Sequence, residues 1–210
     1  IAPGIDVEHF IPTDAAPLRE SLGLTDKKVI VSVGRLVHRK GQDHLIEAMP
    51  EILKKVPRAH LLLVGEGPYR EHLQKLVHQH KLESSVTFIG RIQYQNLPMY
   101  ICVGDIFAMP SRSRLMGLEV EGLGIVYLEA SSCGLPVLAG DSGGAPDAVI
   151  QNETGLVVSG TNNEEIASAA VALLTNLEAS QKMGVVGRQW IVDNWRWEIW
   201  SKGFEELLKK

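Results

Sequence analysis

Short apolar runs alternate with longer amphipathic stretches along most of the chain, and this alternation constrains the fold more than any other feature. The apolar runs are 28–33, 59–64, 86–89, 105–109, 136–139 and 154–158. Strands that are apolar throughout are usually buried on both faces, which indicates a parallel sheet covered by helices. Because the intervening segments carry apolar residues near helical spacing, the sequence predicts an α/β fold, a Rossmann-like parallel sheet with helices on both faces.

Composition and charge exclude several classes of protein. Of the 210 residues, 45% are hydrophobic and 22% are charged, which is typical of globular domains and unlike disordered or collagen-like chains. The 21 Lys and Arg residues are outnumbered by 25 Asp and Glu residues, which gives a net charge of −4. This balance lacks the electrostatic footprint of a nucleic-acid or anionic-membrane binder. Any phosphate-binding site must therefore be local.

The cysteines and histidines do not predict a metal site. Cys102 and Cys133 lie in apolar surroundings with no second Cys or His at ligand spacing, so we expect buried, reduced thiols in a cytoplasmic protein. His72, His78 and His80 fall on a polar helical stretch without a carboxylate at metal spacing. We interpret these three histidines as solvated surface residues.

The sequence predicts neither a membrane span nor a secretory leader. No apolar run approaches the roughly 18 residues of a membrane span, and no charged-then-apolar segment opens the chain. The first residue is Ile1 rather than Met. We therefore expect this sequence to be a piece of a longer polypeptide.

After residue 160 the chain becomes helical and ends in a tryptophan-rich tail, 186–210. All four tryptophans fall in this tail: Trp190, Trp195, Trp197 and Trp200. Four large aromatic side chains need more buried area than a terminal helix usually finds on its own domain. Two interpretations stay open: the tail packs wholly on its own sheet, or it docks on a domain absent from this sequence.

Three cations follow the first predicted strand. Arg35, Arg39 and Lys40 lie between Gly34 and Gly41. Ligands of parallel sheets bind beyond the carboxyl ends of the strands, so a diphosphate would fit this loop. The stretch contains neither a G-x-G-x-x-G fingerprint nor a Walker loop. A solvated basic loop is the alternative.

Glycines also follow the second and third predicted strands. Gly65 and Gly67 follow the second strand, and Gly90 and Arg91 end the third. Glycine permits backbone conformations with positive φ and the close approach of a ligand. A simple tight turn explains the pattern equally well.

The stretch 119–130 is the richest in candidate functional residues. Gly122 and Gly124 precede a predicted helix, whose free N–H groups and positive dipole end favour an anion. Glu121 and Glu129 would lie roughly 12 Å apart along the axis, enough to span a nucleotide diphosphate sugar. Glu129 lies among apolar residues, where an isolated carboxylate is costly. The alternative is that both glutamates are ordinary helix formers.

Two other features carry weaker alternatives. Ser142 lies in a G-x-S-x-G pattern typical of the hydrolase nucleophile elbow, but all seven histidines precede it, whereas that class places its histidine afterwards. The loop 112–118 carries Arg112 and Arg114. We expect both arginines to be solvated, with contact to an acidic acceptor as the alternative.

Taken together, these segments resemble the C-terminal, donor-binding domain of the family four retaining glycosyltransferases, which have the two-domain GT-B fold. The segments that carry the resemblance are 2–6, 10–12, 34–36, 39–41, 65–68, 88–90, 110–111, 143–146 and the Glu121/Glu129 pair. The resemblance implies a linker over 1–12, a nucleotide-sugar donor domain over 13–185, and C-terminal helices over 186–210 that dock on the missing N-terminal domain. Residues 118–130, 39–43 and 105–110 especially resemble the actinobacterial GDP-mannose-dependent mannosyltransferases of glycolipids.

The resemblance also implies roles for individual residues. Arg35, Lys40 and Glu121 would be catalytic: the two cations would stabilise the leaving diphosphate without a metal, and Glu121 would hold sugar hydroxyls. Glu129 would bind the ribose. The donor-binding set is Gly34, Arg35, Lys40, Gly67, Arg91, Ile92, Glu121, Gly122, Leu123, Gly124, Ile125, Val126 and Glu129.

The implied substrate is GDP-mannose, with a UDP-sugar as the alternative and a glycolipid or glycan as acceptor. The resemblance further implies no cofactor and no nucleic-acid partner. It places the parent enzyme in the cytoplasm, including the cytoplasmic face of the membrane. A different class of function, a non-catalytic interaction module that docks through its tryptophan-rich tail, stays open at this point.

Overall fold

Six parallel strands form one sheet in the computed structural model, which describes residues 3–209. The strands are β1 Lys28–Val33, β2 Ala59–Val64, β3 Val86–Gly90, β4 Ile106–Met109, β5 Val137–Gly140 and β6 Gly155–Val158. Their order is β3-β2-β1-β4-β5-β6, and every neighbouring pair is parallel. The predicted Rossmann-like sheet is therefore confirmed, with each strand within one residue of its predicted bounds.

Helices connect the strands and close the C-terminal part of the described chain. They are α1 Ala16–Ser21, α2 Gln42–Lys55, α3 Arg70–Gln79, α4 Leu97–Cys102, α5 Ile125–Ser132, α6 Asn163–Thr175, α7 Leu177–Asn194 and α8 Trp197–Leu208. Asparagine side chains cap two of them: Asn162 accepts the N–H groups of Glu164 and Glu165 at the start of α6, and Asn176 caps α7. The helical C-terminal region is thus confirmed.

Two apolar cores lie on opposite faces of the sheet. Strand β1 contributes to both, because Val29 and Val31 pack in one core while Ile30 packs in the other. Residues of α4, α5 and α7 cover the first face, and residues of α2, α3 and α6 cover the second. This arrangement explains why the strands are apolar throughout rather than alternating.

The N-terminal segment and the tail pack together. The Ile5 N–H donates to the Trp195 carbonyl at 2.6 Å, and Trp195 is buried with Trp190 and Trp200 against it. Trp197, by contrast, is 54% exposed. The tail therefore packs partly on its own domain, and part of its apolar surface is uncovered among residues 3–209.

The predicted division into linker 1–12, donor domain 13–185 and C-terminal helices 186–210 can be compared with the structure only in part. Residues 1 and 2 of the predicted linker, and residue 210 of the predicted tail, lie outside the described residues. The boundary between 185 and 186 falls inside α7, which is continuous from Leu177 to Asn194. The division into linker, donor domain and docking helices stays a prediction.

The cysteines and histidines lie largely where expected. Cys133 is buried, but Cys102 is only half-buried, and both are free thiols. A hydrogen bond from Cys133 lowers the pKa of the Cys102 thiol to about 7. His72, His78 and His80 are exposed. Within residues 3–209 no three His, Cys, Asp or Glu side chains are grouped to hold a metal ion, and no helix is long and apolar enough to cross a membrane.

Candidate functional site

The candidate site lies beyond the carboxyl ends of β1 and β4, the neighbouring strands at which the strand order reverses. The loop after β1 and the segment after β4 are joined by a hydrogen bond from the Arg112 N–H to the Arg39 carbonyl, at 2.9 Å. Gly41 has a φ of 73°, and a Cβ there would lie 1.8 Å from the Pro110 carbonyl oxygen. The two segments can approach this closely only because position 41 lacks a side chain.

Gly41→Ala is expected to destabilise the protein by more than about 2 kcal/mol, since the added methyl group collides with backbone as well as adopting a strained φ. The matched control is Gly23→Ala, which has a similar φ of 69° but no atom within 4 Å of the added Cβ. Urea unfolding of both variants separates the collision from the strain. Equal losses in the two variants would contradict the close approach.

A cavity of about 560 Å³ opens at the ends of the first three strands. It is lined by Val33, Gly34, Arg35, Val64, Gly65, Glu66, Gly67, Pro68, Arg91, Ile92, Tyr94 and Leu97. A Cβ on Gly65 would lie 2.0 Å from the Gly34 carbonyl oxygen, and one on Gly67 would lie 2.2 Å from that of Leu36. The two glycines after β2 therefore allow the backbone segments at the cavity to pack closely, and a simple surface turn does not explain them.

Lys40, in the loop after β1, forms an ion pair with Glu121. Lys40 Nζ lies 2.8 Å from Glu121 Oε2, and an Arg39 guanidinium nitrogen lies 2.7 Å from the same oxygen. Lys40 and Glu121 are both buried. Burial lowers the pKa of the Lys40 ammonium, although its contact with Glu121 opposes this change.

The backbone of Glu121 is fixed by the turn that follows β5. Its N–H donates to Ser142 Oγ at 3.0 Å, and its carbonyl accepts from the Gly144 N–H at 3.1 Å. Ser142 is fully buried and also lies 3.2 Å from the Ser113 hydroxyl. The Ser142 hydroxyl is therefore buried and holds the loop that carries Glu121. This position does not support the alternative interpretation of Ser142 as a hydrolase nucleophile.

Helix α5 begins directly after the glycine pair. Gly124 adopts a φ of 74°, and no side chain within residues 3–209 caps the first turn of this helix. Gly122 is exposed with open space at its Cβ position. These features leave backbone N–H groups at the start of α5 free to meet an anion.

Glu129 lies about one turn after the start of α5. Its side chain has no hydrogen-bond partner within residues 3–209. Burial raises the pKa of this carboxyl to about 7. A half-buried carboxylate without a partner is costly. Such a group is a functional-site candidate on physical grounds.

The predicted donor-binding residues thus form two groups. Gly34, Arg35, Gly67, Arg91 and Ile92 line the cavity, whereas Lys40, Glu121, Glu129 and residues 122–126 do not. The second group surrounds the Lys40–Glu121 ion pair and the start of α5. Arg35 is exposed, and its side chain makes no ion pair within the described part of the chain.

Sequence reasoning missed a buried polar network beside Lys40. Arg112 donates two hydrogen bonds to the Asp43 carboxylate, at 2.6 and 2.5 Å, and also contacts His38; Tyr69 donates to Asp43 at 2.9 Å. Burial opposes ionisation of Asp43, but Arg112 outweighs it and lowers the pKa of that carboxyl. Burial and the Arg112 charge lower the pKa of His38.

Both interpretations of Arg112 were therefore wrong, because it is 4% exposed and bound within the protein. The available signal was its place two residues after β4, where side chains meet those that follow β1. Arg114 is partly exposed and pairs with Glu119 at 2.8 Å, so it is not simply solvated, and its contact with an acidic acceptor stays a prediction.

The parallel sheet, with a candidate site at its switch point, defines the chain as a Rossmann-like α/β domain, and comparison with known proteins gives the family. Residues 14–190 match the family described as glycosyl transferases group 1. The chain belongs to this family. It is therefore a domain of an enzyme family, which displaces the interpretation as a non-catalytic interaction module.

Curated relatives match over nearly the whole chain. A GDP-mannose-dependent alpha-(1-6)-phosphatidylinositol monomannoside mannosyltransferase from Mycolicibacterium smegmatis is 48% identical over 99% of this chain and 55% of its own length. A GDP-mannose-dependent monoacylated alpha-(1-6)-phosphatidylinositol monomannoside mannosyltransferase from Corynebacterium glutamicum is 43% identical over 98% of this chain and 54% of its own length. The chain spans about half the length of these relatives.

Solved structures agree on the fold. Sucrose-phosphate synthase from Thermosynechococcus elongatus superposes with a TM-score of 0.87 and 31% identity, over 100% of this chain and 51% of the synthase. The Anabaena protein HepE in complex with UDP superposes with a TM-score of 0.88 over 98% of this chain and 56% of HepE. At 23% identity, the likeness to HepE concerns the fold alone.

Proposed function

We propose that this chain is the donor-binding half of a retaining glycosyltransferase that transfers mannose from GDP-mannose to a glycolipid acceptor without a metal ion. The observation that carries the proposal is the Lys40–Glu121 pair, which joins the basic loop after β1 to the glutamate loop before α5. Relatives 43% and 48% identical that are named as GDP-mannose-dependent mannosyltransferases support the donor and the acceptor class.

Lys40 and Arg35 supply the positive charge that the leaving diphosphate needs. Arg35 lines the cavity with its side chain unpaired within residues 3–209, and Lys40 lies at the inner end of the same loop. An ammonium has three N–H donors, so Lys40 can donate to a phosphate while keeping its contact with Glu121. Fixed cations of this kind stabilise charge that develops on the leaving group and can replace a divalent cation.

Glu121 and the start of α5 bind the sugar and the phosphate. Both ion pairs of Glu121 use Oε2, which leaves Oε1 to accept hydrogen bonds from sugar hydroxyls. Backbone N–H groups of Gly122, Leu123 and Gly124 hold the sugar, and those of Ile125 and Val126 face the phosphate with the positive end of the helix dipole.

The nucleoside contacts both groups of residues, with its base at the cavity and its ribose at Glu129. Glu129 accepts hydrogen bonds from the ribose hydroxyls, which supply the partners that its half-buried carboxylate lacks among residues 3–209. Backbone around Arg91 and Ile92, at the rim of the cavity, contacts the base. Because backbone groups contact the base, a UDP-sugar is the alternative donor.

The acceptor site belongs to the N-terminal half of the same polypeptide, since the chain spans about half of its relatives. Helix α8 exposes Trp197, Ile199, Phe204, Leu207 and Leu208. We assign this apolar face to contact with that N-terminal half. Transfer then requires both halves, whereas nucleotide binding requires this one.

Lys40→Met is expected to weaken GDP binding at least tenfold, about 1.4 kcal/mol, because it removes a buried cation from the phosphate site. Isothermal titration calorimetry measures the loss, and thermal unfolding shows whether the variant is folded. The control is Lys75→Met on the exposed surface of α3, which makes the same change of charge. A folded Lys40→Met variant that binds GDP like the unaltered chain would contradict the proposed site.

A further inference from the structure

Arg39 is the third cation of the loop after β1, and the proposed donor contacts give it no role. Its guanidinium lies 2.7 Å from Glu121 Oε2, the same oxygen that Lys40 Nζ contacts at 2.8 Å. The side chain of Arg39 is 29% exposed, whereas the side chains of Lys40 and Glu121 are 11% and 7% exposed. Arg39 therefore lies on the outer side of the buried Lys40–Glu121 pair.

The backbone positions of Arg39 and Glu121 are fixed by separate hydrogen bonds. Arg39 lies in the short turn His38–Lys40, and its carbonyl accepts the Arg112 N–H at 2.9 Å. Glu121 donates its N–H to Ser142 Oγ at 3.0 Å. Because each backbone is held by a different partner, the contact between the two side chains joins two segments that are already in place.

The three side chains together carry an excess of one positive charge. Arg39 and Lys40 each bring one positive charge to the single negative charge of Glu121. One cation balances the glutamate, so the other is left to balance an anion that enters the site. A diphosphate is such an anion. Without Arg39, Lys40 would have to balance both the glutamate and the diphosphate.

The chemistry of the two cations favours Arg39 as the group that keeps the glutamate in place. A guanidinium is planar, keeps its charge in proteins and matches the geometry of a carboxylate. An ammonium is a compact charge whose three donors can point to different acceptors. Burial lowers the pKa of the Lys40 ammonium, a cost that a phosphate beside it would offset. Lys40 is thus suited to the phosphate and Arg39 to the carboxylate.

We propose that Arg39 is a positioning residue, which holds Glu121 Oε2 so that Oε1 stays directed at the sugar hydroxyls while Lys40 also serves the diphosphate. This inference rests on the proposed function, which assigns Lys40 to the phosphate and Glu121 to the sugar. Arg39 acts through its contact with Glu121, and it does not line the cavity proposed for the base. Its removal is therefore expected to disturb sugar binding more than nucleotide binding.

Calorimetric titration of this chain with GDP and with GDP-mannose tests the proposal, because only GDP-mannose carries the sugar. Arg39→Met is expected to weaken the binding of GDP-mannose at least tenfold and the binding of GDP less than about threefold. Misfolding, or a general loss of positive charge, would weaken both ligands alike. The matched control is Arg58→Met, which makes the same change of charge at an exposed position before β2 and is expected to leave both affinities unchanged.

A double-mutant cycle shows whether Arg39 acts through Glu121. In a Glu121→Gln background, which removes the charge that Arg39 holds, Arg39→Met is expected to change the affinity for GDP-mannose less than about threefold. Arg39→Lys, which keeps a cation at this position, is expected to lose less affinity for GDP-mannose than Arg39→Met.

The proposal is overturned if Arg39→Met weakens GDP binding as much as GDP-mannose binding, if it weakens neither, or if its effect persists in the Glu121→Gln background. An Arg39→Lys variant that loses as much affinity as Arg39→Met would also overturn it. Failure of the unaltered chain to bind GDP-mannose is a different result, because it would contradict the proposed function itself.

Discussion

Arg112→Leu is expected to lower the free energy of unfolding by about 3–5 kcal/mol, because it leaves the Asp43 carboxylate buried without its charged partner. Asp43 and Arg112 have side chains only 10% and 5% exposed, and two hydrogen bonds join them. The pair also holds the loop after β1 against the segment after β4. GDP affinity is therefore expected to fall together with stability.

Two controls separate charge from packing in this prediction. Arg114→Leu removes an ion pair from the same segment, but that pair is about one-third exposed, so we expect a loss of less than about 1 kcal/mol. The double variant Arg112→Leu/Asp43→Leu removes both charges and is expected to recover most of the stability. Urea unfolding gives all three values. A similar loss for Arg112→Leu and Arg114→Leu would contradict the buried network.

The effect of Arg112→Leu is also expected to depend on pH. The folded protein lowers the pKa of Asp43 below its ordinary value of 3.8, so the stabilisation is present above that pH and is lost as the pH falls through the lowered pKa. The difference in stability between the unaltered chain and Arg112→Leu should therefore narrow in acid.

Glu129→Gln is expected to stabilise the protein at pH 8 while weakening GDP binding at least tenfold. Burial raises the pKa of Glu129 to about 7, above its ordinary value of 4.5. The folded state therefore holds a proton that the unfolded state releases, and stability falls by up to about 3 kcal/mol as the pH rises from 4.5 to 7. Gln removes this loss but cannot supply a charged acceptor to the ribose.

Thermal unfolding from pH 4 to pH 8 measures the stability of Glu129→Gln relative to the unaltered chain. This stability gain should be absent near pH 4 and complete above pH 7. The control is Glu71→Gln on the exposed surface of α3, which should change stability little at any pH. A Glu129→Gln variant that is less stable than the unaltered chain at pH 8 would contradict the unpaired carboxylate.

The sheet could be predicted from the sequence because its strands are short, apolar throughout and separated by amphipathic segments. Runs such as 28–33 and 59–64 are too short for helices and are rich in β-branched or aliphatic residues, which favours strands that are buried on both faces. Helix α1 was not predicted, since it is six residues long and has no buried residue within its bounds. The exposure of Trp197 was not predicted either, because the sequence pattern of four tryptophans does not distinguish those that pack on the domain from those that do not.

The candidate site was only partly predictable. Glycines and cations after the predicted strands mark an edge of the sheet, and that signal predicted Gly34 and Lys40 as candidates, whereas Glu121 was predicted from the glycines that precede a helix. The Asp43–Arg112 pair joins residues 69 positions apart, so no local pattern reports it. The left-handed turn at Leu115 and Met116, with φ angles of 51° and 53°, was likewise invisible, because neither Leu nor Met favours positive φ.

Calorimetric titration of this chain with GDP, UDP and ADP, each with and without magnesium, tests whether it holds a metal-independent donor site. We expect GDP to bind most tightly and magnesium to leave its affinity unchanged, because Arg35, Lys40 and the start of α5 would supply the positive charge. Tighter binding of UDP would keep the site but replace the donor. Binding of none of the three, or binding of GDP only with magnesium, would contradict a metal-independent nucleotide-sugar site in this half of the enzyme.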